Sequence, residues 1–234
     1  MHDKCLAVIT ARGGSKRIPQ KNIKNFFGKP IIQYTIDAAN QSGVFDEVMV
    51  STDSVEIKSI AESCGAKVPF LRSKNFSSDT ATTANVLLEV IDEYKKRGEV
   101  FTYICCAYPT APFITAEQLR KCRALLNETT IDGVVPIVAY SFPPQRSFII
   151  RNGKVQYQWP ENQFTRSQDL EKWYHDCGQF YFLKVVPFLS EKSLVLKNSV
   201  PMIVNESQVQ DIDTYDDWEL AELKFQKWMH NNQS

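Results

Sequence analysis

Cys5-Leu6-Ala7-Val8-Ile9-Thr10, followed at once by Ala11-Arg12-Gly13-Gly14-Ser15-Lys16-Arg17-Ile18-Pro19-Gln20-Lys21-Asn22, is the stretch that decides the fold. The first five residues form an unbroken apolar run that Thr10 extends to strand length, as expected of a strand buried on both faces. The twelve that follow are polar, basic and glycine-bearing. A buried strand running into such a loop is the opening of an open, mainly parallel sheet, where ligands sit outside the carboxyl ends of strands.

Downstream, strands and helices alternate. Pro30 to Ser42 is predicted helical and stopped by Gly43, and Glu47–Ser51 is the next strand. Ser54 reads as the N-cap of a helix that ends near Gly65. A short strand is expected over Lys67–Phe70 and a helix over Thr83–Arg97. Tyr103–Ala107 is another buried strand, Thr115 caps a helix to about Leu126, and Gly133–Val138 is a strand. This β-α rhythm predicts an α/β fold: a mainly parallel, Rossmann-like sheet flanked by helices, in a single domain over residues 1–234. The rhythm breaks between 139 and 176. There Phe148–Arg151, Asn152-Gly153 and Lys154–Tyr157 read as a β-hairpin with a type I′ turn. Segment 139–176 is therefore an expected excursion that builds a dimer contact or a lid. Strands over Gly178–Val185 and Pro201–Asn205 and a helix over Thr214–His230 close the chain.

Lys plus Arg number 27 and Asp plus Glu 27, so the formal charge is zero. That balance argues against a nucleic-acid coat or a membrane-surface protein. The six cysteines form no CxxC pair and lie mostly in apolar runs, as reduced thiols do in a cytoplasmic protein. No secretory signal or membrane-length apolar run is present, and a cytoplasmic location is the expectation.

In the first loop, Gly13, Gly14 and Ser15 can turn backbone N–H groups toward an anion, with Ala11 leading in. Arg12, Lys16, Arg17 and Lys21 supply charge enough for a triphosphate. The pattern matches neither the Walker nor the dinucleotide fingerprint, and by itself reads equally as a solvated turn. Near the far end, Asp211 and Asp213 flank Ile212. In an extended segment both carboxylates face one side and suit Mg²⁺, which takes one or two carboxylates alongside phosphates and waters. From these residues alone, Asp213 as the cap of the following helix is the somewhat stronger reading.

The run Ala11–Asn22, continuing through Phe27-Gly28-Lys29-Pro30-Ile31, resembles the opening signature of the CMP-sialic-acid synthetase (acylneuraminate cytidylyltransferase) family. Val50-Ser51-Thr52-Asp53, Val68–Arg72, Tyr108–Phe113 and Asp211-Ile212-Asp213-Thr214 resemble its later blocks in order, so the likeness spans nearly the whole chain. Tyr108, the segment Asp176–Tyr181 and Pro143–Arg146 resemble the branch that acts on pseudaminic acid more than the branch that acts on sialic acid.

The resemblance implies a cytidylyltransferase that makes a CMP-activated nonulosonic acid from CTP and an acidic nine-carbon sugar. It implies catalytic roles for Arg12 and Lys21, and Mg²⁺ on Asp211 and Asp213. Nucleotide contacts are expected from Ala11 to Ser15, Lys21, Asn22, Arg72, Asp79 and Tyr108. Arg146, Arg166, Gln179 and Tyr181 are candidates for the sugar, although Arg166 can equally pair with Asp169 or Glu171 at the surface. A homodimer is also expected from the likeness. The alternatives are a different keto-sugar acid, N-acetylneuraminic acid among them, and a nucleotide-binding regulatory module without turnover.

Overall fold

The computed structural model describes residues 3–78 and 80–232. Strand β1 (Cys5–Thr10) lies where its apolar run requires, at the interior of a seven-stranded sheet. The loop after it leads to the short pair β2 (Asn25–Phe26) and β3 (Lys29–Pro30) and then to helix α1 (Ile31–Ser42). Pro30 occupies the N-cap position, and Gly43 ends the helix at φ 66°. Strand β4 (Glu47–Ser51), helix α2 (Val55–Ser63), helix α3 (Thr83–Lys96), strand β5 (Tyr103–Ala107), helix α4 (Ala116–Leu125) and strand β6 (Gly133–Ala139) continue the alternation. Ser54 caps α2 by accepting the amide of Ile57, and Thr115 with Gln118 closes a capping box on α4.

β1 pairs parallel with β4 on one side and β5 on the other, with Val8 opposite both Met49 and Cys106. Its side chains then divide with period two. Cys5, Ala7 and Ile9 enter a core with Ile32 and Ile36 of α1, Ala61 of α2 and Leu119 of α4. Leu6 and Val8 enter the opposite core, with Leu87 and Val90 of α3.

Strands β7 (Phe148–Arg151) and β8 (Lys154–Tyr157) form the hairpin, with Asn152 and Gly153 both at positive φ as a type I′ turn demands. Strand β9 (Tyr174–Asp176) pairs antiparallel with β6, setting Val138 opposite His175. The excursion therefore rejoins the main sheet before Asp176, and its neck is closed by the amide of Tyr140 on the carbonyl of Trp173 at 3.1 Å.

Strand β10 (Phe180–Lys184), helix α5 (Val185–Glu191), strand β11 (Ser199–Ile203) and helix α6 (Tyr215–Asn232) complete the chain. The strand order is β11-β6-β10-β5-β1-β4. β10 runs antiparallel to both β5 and β6, so the sheet is mixed, with parallel β4, β1 and β5 beside it. Lys67–Phe70 makes a single parallel bridge, Lys67 to Met49, rather than a strand, and Pro69 has no N–H with which to extend it. The strand expected over 178–185 gives way to α5 at Val185. No helix among the described residues is long and apolar enough to cross a membrane.

A third apolar cluster sets up the site. Ile18 of the first loop, Phe26, Ile31 and Phe113 pack with Ile212, Trp218, Ala221 and Phe225. Ile18 and Ile212 are fully buried, so one core fastens both the basic loop and the acidic segment before α6.

Candidate active site

At the carboxyl ends of β1, β4 and β5 lies a cavity of about 530 Å³. Its lining holds five basic side chains (Arg12, Lys16, Arg17, Lys21 and Arg72) and one acidic one, Asp213. Such an excess of positive charge in a concave, partly dehydrated site favours a polyanion.

The loop after β1 is pinned at several points. Ala11 is buried and its amide donates to the carbonyl of Ser51 at 3.0 Å. Asn22, also buried, donates from Nδ2 to the carbonyl of Arg12 at 2.9 Å, so part of its hydrogen-bonding capacity is spent on the loop itself. Gly13 and Gly14 differ in role. The Gly13 amide donates to Oδ1 of Asp53 at 2.8 Å, and a Cβ there would meet Cβ of Ser54 at 3.0 Å. Gly13 is thus required by the neighbouring strand end, and its N–H is not directed at a ligand. At Gly14 an added Cβ would meet nothing within 4 Å, so neighbouring protein atoms do not call for the glycine. Gly14 is not itself in the cavity lining, which takes up Arg12 and Ser15 on either side of the two glycines.

Arg72 forms part of the floor. Its Nε donates to Oγ of Ser51 at 3.0 Å and its Nη2 to the Ser51 carbonyl at 2.6 Å. Burial holds the guanidinium below its ordinary pKa, opposed by the carboxylates of Asp53 and Glu89. Tyr108 lies at the rim, its hydroxyl 3.3 Å from Oγ1 of Thr83 at the start of α3. Burial raises the phenol to about 12, so Tyr108 stays protonated at neutral pH.

Opposite the loop stands the acidic segment. Lys21 Nζ donates to the Ile212 carbonyl and reaches Oδ1 of Asp213 at 3.3 Å. Arg17 Nη2 lies 2.9 Å from the same oxygen. The capping of α6 is done by other residues. Oδ2 of Asp217 accepts the amides of Asp213 and Thr214, at 3.1 and 2.8 Å, and Thr214 Oγ1 accepts the Asp217 amide at 3.3 Å. This frees the Asp213 side chain to face the cavity. Asp211, on the other side of Ile212, is absent from the lining. Partial burial of its carboxyl, with Asp213 nearby, raises its pKa above the usual carboxylate value.

Among the described residues no group of three or more His, Cys, Asp or Glu side chains is placed to hold a metal ion. The Asp211–Asp213 pair supplies two hard, mutually repelling oxygen donors, and so part of a shell. That donor chemistry fits Mg²⁺, which completes its octahedron with phosphate oxygens and waters.

The cavity therefore gathers Arg12, Ser15, Lys21, Asn22, Arg72, Tyr108 and Asp213 from distant parts of the sequence. Asp79 lies outside the described residues. The four candidates for the sugar are not in the lining. Because β10 is antiparallel, the residues preceding it, not those following it, lie at the ligand rim, and the Tyr108 amide bonds the Gln179 carbonyl at 2.9 Å. Gln179 is buried and donates to the Gln208 carbonyl at 2.6 Å, while its Oε1 is buried without a hydrogen-bond partner among the described residues. Tyr181 donates to Asp176 and meets the Tyr108 ring edge-on at 6.2 Å. Arg146 and Arg166 belong to the excursion. The first donates to Ser167 Oγ at 3.4 Å, and the second is exposed and pairs with Asp169 at 2.7 Å. Sequence reasoning passed over Asp53 as a site residue and assigned Thr83 only to a helix. Asp53 ends the run Val50-Ser51-Thr52-Asp53, but its partner is 40 residues away.

A family model described as cytidylyltransferase matches residues 6–211. The chain belongs to the cytidylyltransferase family. Among its relatives, this cytidylyltransferase is 38% identical to a pseudaminic acid cytidylyltransferase of Campylobacter jejuni, over 95% of this chain and 96% of the other. It is 34% identical to a CMP-N,N'-diacetyllegionaminic acid synthase of Legionella pneumophila, over 94% and 95% of the two chains. Among solved structures, the cytidylyltransferase fold matches that of a CMP:2-keto-3-deoxy-manno-octonic acid synthetase complexed with CTP. The TM-score is 0.70 at 19% identity, covering 96% of this chain and 99% of that one.

Proposed function

We propose that this cytidylyltransferase transfers CMP from CTP to a nonulosonic acid, pseudaminic acid first, and releases pyrophosphate. The convergence of Lys21 and Asp213 across a cationic cavity carries the reading. A cation suited to a phosphate and a carboxylate suited to a metal ion stand together there. The extended likeness to a pseudaminic acid cytidylyltransferase supports the choice of sugar.

In this reading the anomeric hydroxyl attacks the α-phosphorus in line. A new O–P bond forms, the bond to the β-phosphate oxygen breaks, and the hydroxyl proton is released. The amides of Gly14 and Ser15 hold the phosphates, and Arg12 and Lys21 neutralise charge on the transferring and leaving oxygens. Asp211 and Asp213 would hold Mg²⁺, which when bound supplies a Lewis acid for the α-phosphate and the attacking hydroxyl. Tyr108, in the lining, is the residue proposed to meet the sugar, with Gln179 and Tyr181 packed behind it through a backbone hydrogen bond and a ring contact. Arg146 and Arg166 would reach it only by belonging to a second copy or by moving.

A homodimer through the excursion is part of the proposal. Phe142 and Phe164 there are 86% and 90% exposed, and Phe148, Ile150 and Val155 are exposed beside them. Light scattering that finds a monomer removes this part. A cytoplasmic location is likewise proposed, in keeping with the six free cysteines.

Pyrophosphate release with CTP and Mg²⁺, comparing pseudaminic acid with N-acetylneuraminic acid, tests the whole. Turnover with the first supports the proposal. Turnover with the second alone keeps the chemistry and changes the sugar. Silence with both, from folded protein that binds CTP, points to another sugar or a nucleotide-binding module.

A further inference from the structure

Two cations converge on a single oxygen of Asp213. Lys21 is anchored there by the Ile212 carbonyl as well, and its side chain is largely buried. Arg17 reaches the same oxygen at 2.9 Å from the loop's outer arm, with a side chain 65% exposed. An exposed pair of this kind is weak and exchangeable. A guanidinium also prefers a phosphate that it can grip with two N–H groups. Arg17 lines the cavity where such a phosphate would arrive.

Among the described residues, the segment before α6 offers a cation the carboxylates of Asp211 and Asp213, and Asp213 is already paired with Arg17 and Lys21. Building on the reading of Asp211 and Asp213 as a cation-binding pair, we propose that Arg17 is a resident counter-cation of Asp213. It weakens divalent-ion binding until a polyphosphate draws the guanidinium away. The metal then binds more tightly with the nucleotide than ahead of it, and Arg17 becomes a phosphate contact at the same moment. Arg17 acts here as a positioning residue, because it sets when Asp213 becomes available.

The experiment is a Mn²⁺ titration of the full chain, read from the EPR signal of free Mn²⁺, with and without CTP and with no sugar present. Without CTP, Arg17→Ala should bind Mn²⁺ about two- to fivefold more tightly than the unaltered protein, the span expected for removing an exposed ion pair. Arg17→Lys should behave like the unaltered protein. Raising NaCl to about 0.5 M should shrink the difference, since it is a screened surface interaction. With CTP, once the Mn²⁺ taken up by CTP alone is subtracted, Mn²⁺ affinity of the unaltered protein should rise and the gap to Arg17→Ala should close. Equal or weaker Mn²⁺ binding by Arg17→Ala in the absence of CTP overturns the proposal while leaving the carboxylate pair intact. If Asp213→Asn binds Mn²⁺ in the presence of CTP as well as the unaltered protein does, the carboxylate pair itself is wrong, and the proposal falls with it.

Discussion

Oδ1 of Asp53 accepts the amide of Gly13 at 2.8 Å, tying the basic loop after β1 to the end of the neighbouring strand β4. The same carboxylate acts electrostatically on Arg72 in the cavity floor. One acidic side chain thus fastens the basic loop and favours the charged form of Arg72 without lining the cavity.

Asp53→Ala should lower kcat/KM for CTP about tenfold, the scale of a charge-assisted hydrogen bond to a backbone amide. Asp53→Asn keeps an acceptor oxygen for Gly13 and should recover most of that loss. Steady-state kinetics on the pair decide the matter, and equal defects in both variants would shift the role from the hydrogen bond to the charge.

The two loop glycines should respond differently to alanine. Gly13→Ala pushes a Cβ to 3.0 Å from Ser54 Cβ and should lower the melting temperature by a few degrees. Gly14→Ala meets no protein atom within 4 Å and should melt normally, yet bind CTP more weakly. Calorimetric melting and CTP titration of the two variants separate the effects. A Gly14→Ala protein that binds CTP normally would show that this backbone does not touch the nucleotide.

Lys21→Ala and Asp211→Ala should each reduce turnover at least about 100-fold while folding normally, as loss of a charge contact to the transition state does. Circular dichroism verifies folding and pyrophosphate release gives the rate. Near-normal turnover in either folded variant removes that residue from the chemistry.

Phe26→Ala should destabilise the chain by about 3–5 kcal/mol. Its fully buried ring makes edge-on contacts with Phe27, Tyr34, Trp218 and Phe225 at centroid distances of 5.2–5.7 Å. Because Ile18 and Ile212 share its cluster, CTP affinity should fall as well, although Phe26 is not in the cavity lining. Urea unfolding and CTP titration test the two halves; a destabilised protein with unchanged CTP affinity would uncouple this core from the site.

Much of the architecture is legible in the chain because local signals carry it. The apolar run of β1, the caps Ser54 and Thr115 and the Asn152-Gly153 turn all act over a few residues. Strand direction is different. Phe180–Leu183 is a continuous apolar run, and such a run looks alike in either orientation, so its antiparallel placement becomes visible only in pairing with β5 and β6. Helix α5 is obscured by Pro187 and by two valines that read as a continuing strand. In the site, the basic loop is legible from its residue types. The engagement of Gly13 by Asp53, and the freeing of Asp213 by the Thr214–Asp217 cap, depend on partners that residue types alone do not single out.

At the neck of the excursion the chain leaves the sheet along β6 and returns along β9, its immediate neighbour, with Tyr140 and Trp173 joined between them. Entry and exit on adjacent strands make residues 141–172 a graft on a stem. Such a graft can change in length without shifting the register of β1, β4 or β5, because its two ends stay fixed side by side on the sheet.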